Sequence, residues 1–206
     1  MTTARLAAPP GRAGRLWLAQ RLAVAHRAAD LLNRKVRVLA AELDQARAAA
    51  ERTGREWDTA CREAQRRLLH AVLLGGERAV RLAGGGADAQ VTISYTVTMG
   101  VRHAAEARYT AGEPGGWDGA AVAGARQAHR AALAAAARHA AATAALAVIE
   151  AETTTTRNRL RAVRDRWIPG LSRALMEVEL ALEEMERDDA ARLRIARRDP
   201  TRRGAA

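Results

Sequence analysis

The chain of 206 residues carries 34 basic and 23 acidic side chains, which gives a formal net charge of +11. This length allows one domain or two small ones, and a hydrophobic fraction of 49% excludes an intrinsically disordered chain. Much of that fraction is alanine, aromatic residues make up 3% and phenylalanine is absent. The composition therefore indicates long helices or a coiled coil, rather than a core built on aromatic side chains.

Several other classes of protein are excluded. The single cysteine, Cys61, rules out a disulfide framework and a zinc site with several cysteines. The first 15 residues lack the apolar core of a signal peptide. The most apolar stretch, residues 131–149, is mostly alanine and contains Arg138 and His139, which a membrane span would not tolerate at its centre. We therefore predict a cytoplasmic protein that does not itself insert into a membrane.

Both ends of the chain are predicted to lack stable structure. Residues 1–14 are predicted to form a disordered tail, because Pro9 and Pro10 stand beside two glycines. Residues 199–206, which begin around Pro200, are predicted to form a frayed C-terminal tail.

Residues 15–83 are predicted to form the first long helix. Apolar and small residues recur at alternating spacings of four and three, as in the seam of a left-handed coiled coil. Gly54 lies inside this run and should cost about 1 kcal/mol relative to alanine. The seam consists of Leu18, Leu22, Ala25, Ala29, Leu32, Val36, Leu39, Leu43, Ala46, Ala50, Thr53, Trp57, Ala60 and Ala64.

Residues 84–116 are predicted to form a short β-containing cap, because this is the segment richest in glycine. Within it, residues 91–99 alternate strictly between apolar residues and threonine or serine, which is typical of a strand. A lone strand is not stable in water. Residues 102–110 are a candidate second strand, although pairing elsewhere remains open.

Residues 117–198 are predicted to form the second long helix. Its seam contains three consecutive steps of four, from Val163 to Leu175, a stutter that locally unwinds a supercoil. Because Pro169 lies inside the stutter, we predict a kink or irregularity between Arg166 and Leu171, centred on Ile168 and Pro169. The seam consists of Ile149, Thr153, Thr156, Leu160, Val163, Trp167, Leu171, Leu175, Val178, Leu182 and Met185.

The predicted fold class is all-α: a long antiparallel two-helix coiled coil with a small β-hairpin or loop cap between the helices. Such a hairpin brings the two chain ends together, and both ends are rich in arginine. The joined end is therefore predicted to be strongly positive. A generic coiled-coil scaffold and a basic coiled coil associated with nucleic acid are both compatible with this pattern.

No set of residues predicts catalysis. The glycine-rich segment 75–86 lacks the lysine and serine or threonine of a phosphate-binding loop. His26 and Asp30 are one helical turn apart, but no third metal ligand accompanies them. We therefore predict no catalytic residue, no cofactor and no metal, and the chain is not expected to be an enzyme.

Two C-terminal segments resemble the D subunit of V-type and archaeal-type (A-type) ATPases. The family pattern T-R-x-R-V-N-A-L-x-x-x-x-I-P-x-L is matched within 156–175, and L-[ED]-E-M-E-R-E-x-x-x-R-L-K within 182–194. The first helix, residues 15–35, and the segment 91–101 also resemble the corresponding parts of that family. The matching C-terminal positions are Thr156, Arg157, Arg159, Ala162, Ile168, Pro169, Leu171, Leu182, Glu184, Met185, Glu186, Arg187, Arg192 and Leu193.

The resemblance implies a non-catalytic central-stalk protein, the rotor axle of a rotary ATPase or ATP synthase. In that family the axle transmits torque between ATP chemistry in the A3B3 head and proton or sodium transport in the membrane ring. The implied partners are the catalytic A and B subunits, the small F subunit of the stalk and the funnel subunit (C/d type). No nucleic acid is implied, and the chain would be peripheral to the membrane as part of the complex.

The resemblance also suggests which residues contact which partner. Head-interface candidates lie near the two chain ends: Arg12, Arg15, Leu18, Arg21, Leu22, Met185, Arg187, Arg192, Leu193, Arg194, Arg197 and Arg198. Candidates for the cap and lower stalk lie in the predicted strand: Val91, Ile93, Tyr95, Val97 and Met99.

Overall fold

The structure is a computed structural model that describes residues 9–84, 88–113 and 119–198. Two long helical stretches flank a small antiparallel sheet in the sequence, so the predicted fold class is confirmed. The predicted tail segments 1–8 and 199–206 lie outside the described residues. The elements are α1 (Gly11–Leu82), β1 (Gln90–Thr98), β2 (Val101–Thr110), α2 (Ala120–Ala162), a π-helical turn (Val163–Trp167) and α3 (Ile168–Arg198).

Helix α1 begins four residues before the predicted start, so residues 11–14 do not belong to a disordered tail. Gly11 has a φ of +70°, a conformation that glycine adopts at little cost. Gly14 is buried, and a side chain there would collide with the carbonyl oxygen of Pro9. The two glycines that suggested disorder instead let the chain turn tightly into the helix.

The chain divides into two compact units. Unit 1 comprises Met1–Arg34 and Thr156–Ala206, and unit 2 comprises Lys35–Thr155. Helix α1 contributes to both units, as does α2. Along α1 every predicted seam residue except Trp57 is buried or half-buried, which explains why the four-three spacing predicted this helix correctly.

In unit 1 the first part of α1 runs antiparallel to α3. The core consists of Leu18, Ala25 and Leu171, of which the two leucines are fully buried. Ion pairs at the rim join Arg12 to Glu186 and Arg15 to Glu179 across the two helices. Larger apolar side chains close this core from the edges: Trp17, Leu22, Ile168, Leu175 and Val178.

In unit 2 the rest of α1 packs antiparallel to α2 mostly through small side chains, and Leu39, Leu43 and Ile149 are large buried exceptions. Lys35 Nζ lies 2.7 Å from Glu152 Oε1, and Arg47 Nη2 lies 3.0 Å from Glu150 Oε1. Near the far end of the unit, Ala71 packs against Val122 and Ala125. Polar contacts between the helices therefore accompany a seam that offers little apolar area per residue.

A break interrupts α1 near its end. Gly76 has φ 72° and ψ 162°, so the chain leaves helical geometry there although the helix resumes and continues to Leu82. The prediction of an uninterrupted helix over residues 15–83 is wrong at this point, because a glycine pair permits a conformation that other residues resist. Arg126 Nη2 donates to the carbonyl oxygen of Ala83, just beyond the end of the helix.

The predicted irregularity of the second helix is a π-helical turn, and it begins earlier than expected. The N–H of Ile168 donates to the carbonyl oxygen of Val163, five residues back. Pro169 then falls in the first turn of α3, where a missing N–H costs little. The extra residue also rotates the seam, so Trp167 is 45% exposed and Ile168 packs against the core instead. Trp167 is therefore not the seam residue that the spacing predicted.

The cap is a β-hairpin in which β1 pairs with β2, as the candidate second strand predicted. Met99 and Gly100 form a two-residue turn with φ of 52° and 81°, so Met99 belongs to the turn and not to the strand. A bulge after Ser94 shifts the register. On β2, buried His103 accepts a hydrogen bond from Thr98 Oγ1 at Nε2 and donates from Nδ1 to the carbonyl oxygen of its neighbour.

Among the described residues, one helical stretch, Ala120–Arg197, is long and apolar enough to cross a membrane by length and composition alone. Its most apolar window has a mean hydropathy of 1.5, and 28% of that window is buried. The core helix of a soluble protein passes the same test, so this finding is weak support for a membrane span.

Candidate functional site

Unit 1 carries most of the positive charge of the chain. It contains 19 basic and 10 acidic residues, a net charge of +9, whereas unit 2 contains 15 and 13, a net charge of +2. The predicted meeting of two arginine-rich segments is realised within unit 1, because the start of α1 and the later part of α3 belong to it. An acidic or polar partner surface would be attracted to this unit.

Four of the predicted contact arginines already have carboxylate partners within the chain. Arg12 and Arg15 pair across the helices with Glu186 and Glu179, at 2.9 and 3.0 Å. The other two pair along α3, Arg187 with Glu183 at 2.9 Å and Arg192 with Asp189 at 3.6 Å. Exposed pairs of this kind contribute about 0–1 kcal/mol each, so these arginines can exchange an internal partner for an external one at small cost.

Three of the remaining predicted arginines, Arg21, Arg194 and Arg197, occupy exposed positions on the two helices. The guanidinium of Arg21 lies 4.8 Å above the ring of Trp17. Arg194 Nε donates to the carbonyl oxygen of Ala190, 3.2 Å away, and Arg197 is exposed. Arg198 is the last residue of α3, and its side chain lies outside the described part of the structure.

The predicted apolar contact residues separate into two kinds. Leu18 is fully buried in the core of unit 1, and Leu22 packs against that core. Leu18 therefore stabilises the helix pair and is not available as a surface contact, because the seam spacing that drew attention to it is the spacing of buried positions. Met185 and Leu193 are 57% and 60% exposed, so a partner can reach them.

Other large apolar side chains on the surface of unit 1 were missed from the sequence. They stand outside the four-three seam, and an apolar residue at such a position was the available signal. They are Leu16, Val24, Leu31, Met176, Leu180 and Ile195. With Met185, Leu193 and the arginines they give unit 1 a mixed apolar and cationic surface, which is called the terminal surface below.

The predicted cap residues share one face of the hairpin. Val91, Ile93, Tyr95 and Val97 alternate along β1 and are between 43% and 62% exposed. This set is called the cap face below. Met99 is also exposed, in the turn. The prediction that these side chains are available to a partner is consistent with their exposure.

Two further apolar groups in unit 2 were not predicted. Leu69, Leu73 and Leu74 are 59%, 71% and 81% exposed, close to the break at Gly76. On α2, Leu133 and Val148 are exposed beside the cap face. Their exposure depends on where the chain bends and where the hairpin lies, which the spacing of residues along the sequence does not reveal.

Within residues 9–84, 88–113 and 119–198 no three histidine, cysteine, aspartate or glutamate residues come together in a way that could hold a metal ion. Cys61 is half-buried and not disulfide-bonded. The uncovered surfaces described above are apolar and cationic, a composition that is common in protein-binding surfaces.

The sequence profile of the family described as the ATP synthase D subunit matches residues 16–198. The chain belongs to the ATP synthase D-subunit family. The match covers most of α1, the hairpin, α2 and α3, and it confirms the resemblance found from the motifs. No curated protein matches the chain closely enough to count as a relative.

The D subunit is a stalk component of a rotary ATPase, and membership of its family implies assembly within an ATP synthase complex. The terminal surface and the cap face suit such a protein, because a stalk component works through its contacts with other subunits. The terminal surface contains arginines together with exposed leucines and methionines.

Proposed function

We propose that this D-family protein is the central rotor axle of a V/A-type rotary ATPase and that it transmits torque between the A3B3 catalytic head and the ion-translocating ring in the membrane. It hydrolyses no ATP itself and takes no cofactor. It is peripheral to the membrane, on the cytoplasmic side, and inserts no helix into the bilayer. Its further partners are the small F subunit of the stalk and the funnel subunit on the membrane ring.

One observation carries the assignment of the head-binding end: unit 1 holds a net charge of +9 together with uncovered apolar side chains. An axle that turns inside the head needs contacts that release as easily as they form. Exposed arginine pairs and scattered apolar residues meet that need better than one deep pocket, because each contact contributes little.

The cap face and the apolar group at Leu73 and Leu74 support an assignment of unit 2 to the lower stalk. Both are uncovered apolar surfaces, and the net charge of this unit is only +2. A surface of this kind favours stable binding to a partner, because apolar burial supplies the affinity. Unit 1 would thus bind the head through contacts that release easily, whereas unit 2 would stay bound to its partners in the lower stalk.

The proposal is tested by reconstitution with purified A and B subunits, in the presence of nuclease. In one double variant Leu193 and Ile195, which are 60% and 67% exposed, are changed to aspartate. In the matched control, Leu73→Asp and Leu74→Asp, the same change is made in unit 2, where these leucines are 71% and 81% exposed. Circular dichroism verifies that both proteins keep their helix content.

We expect the variant in unit 1 to bind the head at least about tenfold more weakly, the equivalent of about 1.4 kcal/mol, while the control binds it normally. The control should instead bind the purified funnel subunit more weakly than the unchanged protein does. Equal head binding by both variants would refute the assignment of the terminal surface. Loss of native head binding on nuclease treatment would favour a nucleic-acid-associated coiled coil.

A further inference from the structure

An open apolar groove lies between the hairpin and α2 within unit 2. The cap-face residues Val91, Ile93 and Tyr95 form one wall, and Leu133 and Val148 stand on the helix opposite. The groove has a volume of about 520 Å³. Its wall is continuous in sequence and in space, because alternate residues of a strand point to the same side.

The large side chains around the groove are not covered by the described part of the chain. Tyr95 and Val91 are 53% and 54% exposed, and Leu133 is 52% exposed. Scattered apolar residues on a surface need no explanation, but several around one concavity mark a binding site. The hairpin and α2 therefore leave room for an occupant between them.

The floor of the groove favours a helix as the occupant. Ala136, Ala137, Ala140 and Ala144 follow one another at helical spacing and form a furrow of small side chains. At about 1.5 Å per residue the floor from Leu133 to Val148 is roughly 22 Å long, which matches about four turns of a second helix. Large aliphatic side chains of that helix would fill the furrow and contact the cap face.

The charge around the groove indicates which kind of residue the edge of that helix should carry. Among the described side chains that line the groove, Arg102 carries the positive charge and no carboxylate accompanies it. Its guanidinium lies 4.1 Å above the ring of Tyr95, so the cation is held at the rim of the apolar wall. A carboxylate on the occupant would find a cation already in place.

We propose that this groove binds an amphipathic α-helix of another stalk protein, with large aliphatic residues on its inner face and an acidic residue at the edge that meets Arg102. The inference deepens the proposed function, since it rests on the assignment of the cap to partner binding. An added β-strand on the free edge of β1, a lipid and closure of the hairpin onto α2 are the competing occupants.

Photo-cross-linking in the assembled, purified ATPase tests the proposal. Benzoylphenylalanine replaces Leu133 in the full-length chain, and in a control it replaces Thr92, which is exposed on the opposite side of β1. We expect a cross-link from position 133 to a peptide of another subunit, with apolar residues three and four apart and an aspartate or glutamate beside them. Its yield should exceed that of the control by about tenfold.

A cross-link from position 133 to a peptide with strict alternation of apolar residues would indicate strand addition and overturn the proposal. A link to lipid, a link back to β1, or yields that do not differ between the two positions would overturn it as well. Since the assembled complex is isolated before irradiation, a failure here leaves the proposed axle function standing.

A charge substitution provides the second test. Leu133→Glu places a carboxylate in the groove, and Ala131→Glu places the same charge on an exposed position of α2 outside it. Native mass spectrometry should show the cross-linked partner reduced about tenfold with the first variant and unchanged with the second. Both should retain the catalytic head. Equal retention of the cross-linked partner by the two variants would refute the groove assignment, whereas loss of the head from both would refute the division of function between the two units.

Discussion

Replacing Gly54 by alanine should not stabilise this protein, although the residue lies inside a long helix. A glycine-to-alanine change in an exposed helix normally gains about 1 kcal/mol. Here a methyl group at Gly54 would lie 3.3 Å from Cε1 of His139, closer than side chains ordinarily approach. The sign of the change therefore depends on whether the imidazole can move.

His139 is held from two sides. Its Nδ1 lies 3.2 Å from Thr53 Oγ1, and since the threonine hydroxyl already donates to the carbonyl oxygen of Ala49 at 2.8 Å, the imidazole N–H is the donor. Its ring stacks on Trp57 with a centroid separation of 5.4 Å. Loss of the hydrogen bond would cost about 1 kcal/mol. Loss of the stacking would cost about 0.5–1.5 kcal/mol. These losses cancel or exceed the gain in helix propensity.

The assay is a double-mutant cycle in which thermal or urea unfolding is monitored by circular dichroism at neutral pH. Gly54→Ala alone should leave the free energy of unfolding unchanged or lower it by about 1 kcal/mol. In a His139→Ala background the same change should raise it by about 1 kcal/mol, which is a coupling energy of about 1–2 kcal/mol. A gain of similar size in both backgrounds would refute the reasoning, because it would mean that the imidazole does not resist the methyl group.

Three further substitutions test interactions within each of the two units. Leu171→Ala should lower the free energy of unfolding by about 2–5 kcal/mol, because this side chain is fully buried in the core of unit 1, and a smaller loss by urea unfolding would mean that the core closes over the cavity. Lys35→Met should destabilise unit 2 by about 1–2 kcal/mol, since Nζ lies 2.7 Å from the half-buried carboxylate of Glu152; unchanged unfolding would show that the pair contributes nothing. The hydrogen bond from Arg67 holds the pKa of Glu63 below its usual value. The ionised Glu63 carboxylate therefore contributes to stability at neutral pH, and this contribution is lost as the pH falls through the lowered pKa. In an NMR titration, Arg67→Gln should raise the pKa of Glu63.

Periodicity predicted the helices well and their interruptions only in part. The four-three spacing identified the buried face of α1, because burial of one face is the main force that selects a helix of this length. The same spacing placed Trp167 in the seam and did not locate the break at Gly76. The glycine with positive φ changes the helix by a local backbone choice that leaves no trace in the spacing of apolar residues. The π-helical turn did leave a trace, because the run of four-residue steps predicted an irregularity there, although not its exact position.

The candidate surfaces, like the helices, could be predicted from the sequence only in part. Charge counting along the sequence predicted that the two ends would form one basic surface, because a helical hairpin brings its ends together whatever its details. Charge counting could not show that Leu18 is buried while Leu180 and Ile195 are exposed. The four-three seam carried that signal, because Leu18 lies in the seam and the other two residues lie outside it. The groove beside Leu133 depends on where the hairpin folds back onto α2, a contact between distant segments that no local pattern encodes.

The alanine-rich seam of unit 2 has a consequence for how its helices keep their alignment. Small side chains allow two helices to approach closely, but a row of similar alanines fits almost equally well after a shift of one turn. The large buried side chains of Leu39, Leu43 and Ile149 reduce that ambiguity. Specific polar contacts reduce it further: Lys35 with Glu152, Arg47 with Glu150, and Thr53 with His139 each join one position of α1 to one position of α2. A shift of one helical turn moves each partner by about 5.4 Å and breaks all three contacts together. The polar pairs therefore contribute alignment as well as stability, and the proposed transmission of torque would need that alignment to resist sliding of the helices.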